Sequence, residues 1–244
     1  VLRLAQVRAE QARLLGFTSY AEWKLQDQMA KTPDAALAFM RNIVPAARAR
    51  AEREAAAIQQ TIDKQQGDFT LQAWDWRFYA EQVRRARYDL DESQIKPYFE
   101  LNSVLRNGVF WAATQLYGIR FTPRQDLPVY HPDVQVYEIF DADDTPLALF
   151  YTDFFKRDSK GGGAWMSNFV NQSTLLDSKP VIYNVCNYTK PPAGEPALLR
   201  WADVITMFHE VGHTLHAPSP SPRTPCLSGT NPPRDFGEPP SHRN

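Results

Sequence analysis

Apolar residues recur at helical spacing over the first 118 residues and alternate after that, so the pattern predicts helices followed by short strands. Leu14, Leu15, Phe17, Tyr20, Trp23 and Leu25 form one apolar stretch. Thr32-Pro33-Asp34 opens a second helix, with Thr32 as N-cap and Pro33 at the first helical position. Its apolar positions are Leu37, Phe39, Met40, Ile43 and Val44, and Pro45 is expected to kink or end it. Residues 46–60 are strong helix formers with a solvated charged face. Gly67-Asp68 breaks the pattern. Further helices are expected over 74–88 and 101–117, the latter closed by Gly118 in the C′ position.

From Ile119 the period shortens. Strands are expected around Phe121, at Val129-Tyr130, over Val134–Phe140 and over Leu147–Phe150, with residues 141–144 as a hairpin turn. Gly161-Gly162-Gly163 and Ala164 follow, then a strand over Pro180–Val185. Residues 198–217 read as an amphipathic helix with Trp201, Val204, Ile205, Phe208 and Leu215 on one stripe. Residues 217–244 are rich in Pro and Ser and read as irregular. The expected class is mainly α with a small β-sheet. It divides into a helical part (1–118), a sheet and glycine loop (119–197), and a helix with the start of a second segment (198–244).

Composition narrows the function. The chain has 244 residues, with 27 Lys+Arg against 28 Asp+Glu, a balance that gives nucleic acid and anionic membranes no electrostatic hold. No run of eighteen apolar residues exists. The two cysteines, Cys186 and Cys226, cannot form a disulfide framework and suit a reducing compartment, so a cytoplasmic location is expected, with a periplasmic one left open; a monomer is expected as well. The chain begins at Val1 without an initiator Met and stops just after a dense motif region, which reads as an internal fragment of a longer protein. The triple glycine lacks the flanking residues of a phosphate loop and reads as a flexible loop, or one whose bare backbone lies close to a substrate.

His209-Glu210-Val211-Gly212-His213 carries the chemistry. Two His at i and i+4 share a helix face and can reach one zinc ion, while Glu210 can act as general base towards the attacking water. Gly212 inside a helix costs about 1 kcal/mol against Ala, which suggests a close backbone approach. His216 lies seven residues from His209, roughly 10 Å along a helix axis, too far for three collinear ligands on one ion, so it is expected beside the site rather than on the metal. The metzincin pattern needs Gly at 216 and His at 219, where this chain has His216 and Ser219. A carboxylate from downstream is then the remaining ligand, and only Asp235 and Glu238 follow His213.

The segments Phe208–His216, Ser228-Gly229-Thr230-Asn231 and Arg234-Asp235-Phe236-Gly237-Glu238 resemble the thimet oligopeptidase family of zinc metallopeptidases. Trp74-Asp75-Trp76, Tyr88-Asp89-Leu90, Pro97-Tyr98-Phe99, Val129–Val134, Gly162–Met166 and Asn184–Asn187 are most similar to its bacterial dipeptidyl carboxypeptidase branch. The resemblance covers the whole chain. It implies a zincin-like catalytic domain, here truncated, inside a two-lobed helical peptidase with a deep channel. It implies one zinc per chain held by His209, His213 and Glu238, with Glu210 as the base and Asp235 and His216 nearby. It implies that Gly162, Gly163, Ala164 and the strand Val181–Val185 flank a cleft for short unfolded peptides, from which C-terminal dipeptides are released. An oligopeptide endopeptidase and an inactive family fragment are the alternatives. Pro218, Pro220, Pro222, Pro225, Pro233, Gly237 and Pro239 depart from the family pattern, and His242 stands where Gln is usual. The family's downstream substrate-binding His and Tyr residues are not in this sequence, so the chain by itself is expected to be inactive.

Overall fold

The computed structural model describes residues 1–89, 91–216 and 233–236. The chain divides into two compact units, Val1–Asp91 and Glu92–Asn244.

The first unit is helical: α1 (Leu2–Leu14), α2 (Tyr20–Leu25), α3 (Pro33–Lys64) and α4 (Trp76–Tyr88). Thr32 caps α3, its side chain accepting from the amide of Ala35, with Pro33 in the first turn as expected. The expected break at Pro45 does not occur, and α3 runs on through it. Pro45 lies on an exposed stretch of the helix, where water can take the carbonyl left without a donor. Arg48–Glu52 and Arg50–Glu54 ion pairs lace the charged half at i, i+4 spacing. The buried positions of α3 are Ile58 and Ile62, whereas Leu37, Phe39, Met40, Ile43 and Val44 are exposed.

The second unit opens with a short helix α5 (Glu92–Ile95) and a 3-10 turn. One helical run follows, made of α6 (Leu101–Ser103), a π-helical stretch Val104–Phe110 and α7 (Trp111–Tyr117). Glu100 caps it by accepting from the amides of Asn102 and Ser103. Gly118 closes it in the left-handed conformation at φ 73°, where any Cβ is penalised.

Five strands then form one mixed sheet: β1 (Arg120–Pro123), β2 (Gln135–Phe140), β3 (Pro146–Phe155), β4 (Trp165–Val170) and β5 (Val181–Tyr188). Their order is β1-β2-β3-β5-β4, with β3 and β5 parallel and the other pairs antiparallel. The β2–β3 hairpin turns where expected, with Asp144 at φ 68°. Val129-Tyr130 is not a strand. Pro128 and Pro132 flank it and supply no ladder donors, and Tyr130 instead gives its hydroxyl to Asp153 at 3.0 Å. β4 had no clear alternating pattern to announce it.

Side chains of the strands alternate between two clusters. Tyr137, Ile139, Phe150, Phe154, Ile182, Cys186 and Tyr188 join the larger core, and Val136, Tyr151 and Tyr183 the smaller one on the opposite face. The larger core is shared with the π-helical run and with α8 (Trp201–His216). The large apolar residues buried on α8 are Val204, Met207, Val211 and Leu215, while Trp201 and Ile205 from the expected stripe are half-exposed. The Phe208 ring packs over Gly108, at a distance where even a Cβ would make ordinary contact.

Candidate active site

The start of α8 is fixed from three sides. Leu101 N–H donates to Ala197 C=O at 2.9 Å and Leu199 N–H to Phe99 C=O at 2.8 Å, tying the approaches to α6 and α8 together. Asp203, in the first turn, accepts from the Arg200 amide at 3.0 Å and from its guanidinium. That satisfies one of the open helix donors and places negative charge at the positive end. Burial opposes ionisation of Asp203, but Arg200 outweighs it and holds the carboxyl below its usual range. Tyr188 on β5 donates to Asp203 C=O.

Two turns further on, His209 and His213 point their Nε2 atoms at each other, 3.2 Å apart, with ring planes at 89°. Two imidazole ligands about 2.0–2.1 Å from a tetrahedral zinc stand about 3.3 Å apart, so this pair fits two corners of a zinc site. The pair sits near the C-terminal end of α8, where the helix dipole favours a cation. Among the described residues no group of three or more His, Cys, Asp or Glu converges. Glu238 and Gly237 lie outside the described residues, as do 217–232.

Glu210 is 7% exposed, a carboxylate on the core side of α8. Thr214 donates its hydroxyl to the Glu210 carbonyl at 3.1 Å. The carboxylate is close enough to β5 to act on it: burial chiefly, with the Glu210 charge added, pushes the Cys186 thiol up to about 12. Gly212 is buried. His216 is half-buried, and burial lowers its pKa. Its ring lies 6.3 Å from that of Phe236, in the 3-10 turn Arg234–Phe236 that also holds the exposed Asp235. The downstream segment therefore returns to the C-terminal end of α8, two residues before Glu238.

Gly162 and Gly163 are exposed and Ala164 is partly buried against the larger core. They lead directly into β4, the sheet's outer strand beside β5, and α8 packs against both strands. Reading the sequence noted Asn184–Asn187 only as a matching segment and gave its polar residues no role. Asn184 is fully buried and donates to Trp165 C=O at 3.3 Å. Asn187 donates to the carbonyls of Gly161 and Gly163. Their signal was two asparagines within a strand, a residue type depleted there.

The model of peptidase family M3 matches residues 1–244. The chain is 68% identical over its full length to the dipeptidyl carboxypeptidase of Escherichia coli (strain K12), covering 36% of that protein. It is 65% identical to the Salmonella typhimurium dipeptidyl carboxypeptidase over the same share. Against Escherichia coli oligopeptidase A it is 38% identical over 213 residues, 86% of this chain and 31% of that one. The chain thus spans about a third of the length of the curated relatives it matches. With its whole length matched by the family model and the paired histidines set on one helix, the chain belongs to peptidase family M3.

Proposed function

We propose that this chain carries the metal-binding helix of a zincin-like zinc metallopeptidase that acts on short unfolded peptides and releases C-terminal dipeptides. The observation that carries the reading is the 3.2 Å convergence of the His209 and His213 Nε2 atoms. His209 and His213 would hold the zinc, with Glu238 as the third protein ligand. Zinc there would supply Lewis-acid chemistry, polarising the scissile carbonyl and lowering the pKa of the attacking water.

Glu210 takes a proton from that water on a carboxylate oxygen and passes it to the leaving amine. Next to His209 in sequence, it would stand beside a metal held by the two histidines rather than ligate it. Its burial in a low-dielectric setting strengthens the charge interactions it makes. β4, with no partner on its outer side among the described residues, offers backbone groups to an extended peptide, and the glycine loop leaves room for it. Dipeptide release is favoured over internal cleavage by the relatives named dipeptidyl carboxypeptidase at 68% and 65% identity, against 38% for oligopeptidase A.

The test uses a protein of its relatives' full length and a short peptide with a free or an amidated C-terminus. Chelation should abolish hydrolysis and zinc should restore it, with dipeptides released only from the free C-terminus. Hydrolysis that survives chelation contradicts the metal; internal cuts in the amidated peptide favour the oligopeptidase reading.

A further inference from the structure

Lys160 is a buried ammonium, its side chain 5% exposed. Its Nζ lies 3.1 Å from Asp153 Oδ1 and 3.0, 2.7 and 2.6 Å from the carbonyls of Asp153, Phe155 and Cys186. An ammonium has three protons, and burying one is costly unless it is paired and hydrogen-bonded. The carbonyls come from the C-terminal ends of the parallel strands β3 and β5, where the register shifts between Asp153 and Phe155. Lys160 draws together carbonyls of both strands beside this irregularity. It thereby fixes the base of the glycine loop to both strands.

The next residues are held from the other side. The Asn187 amide donates to Gly161 C=O at 2.8 Å and to Gly163 C=O at 2.7 Å, using both of its protons. Gly163 needs glycine because its φ is 91°. Gly161 and Gly162 have no such need, and a Cβ on either would meet nothing within 4 Å. No packing within the described chain requires these two residues to be bare, so the loop presents open backbone at the head of β4.

Resting on the peptidase reading above, we infer that Lys160 and Asn187 are positioning residues. They hold the Gly161–Gly163 loop in one conformation so that its bare backbone and the start of β4 receive the peptide substrate. Lys160 anchors the loop's base and Asn187 spans it. Their contribution is to substrate affinity, through a preordered loop, and not to the metal or the proton transfer.

Asn187→Asp tests this, because it keeps the volume and removes both protons. Hydrogen exchange of the β4 amides that the loop leads into, 165–168, should quicken by about tenfold or more in this chain, with the circular dichroism unchanged. In a protein of its relatives' full length, KM should rise by about tenfold while kcat stays within about threefold and zinc content is unaltered. Asn187→Gln, which keeps the donor amide, should recover part of the loss. Unchanged exchange in Asn187→Asp overturns the clamp. Faster exchange with a normal KM overturns its role for substrate. A wild type that binds no zinc defeats the metallopeptidase reading and the substrate role with it, while the exchange result still reports on the clamp itself.

Discussion

Tyr188, the last residue of β5, donates its hydroxyl to the Asp203 carbonyl in the first turn of α8, 3.0 Å away. This bond spans strand and helix inside the larger core, where Tyr188 is 6% exposed and burial drives its pKa far upward. It ties the end of β5 to the first turn of the helix that carries His209, Glu210 and His213.

Tyr188→Phe should therefore lower unfolding stability by about 1–2 kcal/mol, the usual cost of a lost buried hydrogen bond. Denaturant titration checks it. A midpoint equal to wild type would show that the bond does not hold the helix.

Asp153, on β3, supports the same C-terminal end of β5, opposite Val185. It is 1% exposed and meets Arg157 in a two-bond pair, Lys160 and the Tyr130 hydroxyl. Burial alone would raise its pKa, but Arg157 and Lys160 outweigh it and hold the carboxyl below its usual range. With the folded value below the unfolded one of about 3.9, its stabilisation is complete above that pH and is lost as pH falls through the folded value. Asp153→Asn leaves two cations without their counter-charge and should cost about 3–5 kcal/mol at neutral pH. Stability measured from pH 7 to pH 3 should fall less steeply in the variant. Parallel curves would contradict the assignment.

The facing histidine pair was legible because its signal is local. His209 and His213 share a face through helical period alone, and Thr32, Pro33 and Gly118 mark helix ends through their own backbone chemistry. The remainder depends on contacts far apart in sequence. A π-helical stretch at 104–110 has the same apolar spacing as an α-helix, so nothing local reveals it. β4 is half-exposed at an edge, with Ser167 and Asn168 in its middle, and shows no clean alternation. Val129-Tyr130 has the residue types of a strand but is flanked by prolines and drawn to Asp153. Nothing local marks Asp153 and Lys160, and Asn187, noted only within a matching segment, shows its role once the ends of β3 and β5 meet.

Glu210 separates base from ligand. In a protein of the relatives' full length, Glu210→Gln should retain zinc and lose at least about a hundredfold in kcat, since it keeps the shape and removes the proton acceptor. Metal analysis beside single-turnover kinetics checks both. Retained turnover would remove Glu210 from the mechanism, and lost zinc would make it a ligand.

The central claim is that the facing Nε2 atoms of His209 and His213 bind zinc. The most direct measurement is the zinc content of the folded 244-residue chain and of its His209→Ala and His213→Ala variants, by elemental analysis after dialysis against micromolar zinc. The account predicts about one zinc per wild-type chain and a loss of most of it in each variant, with helix content unchanged. Variants that fold and keep the wild-type zinc content would contradict it.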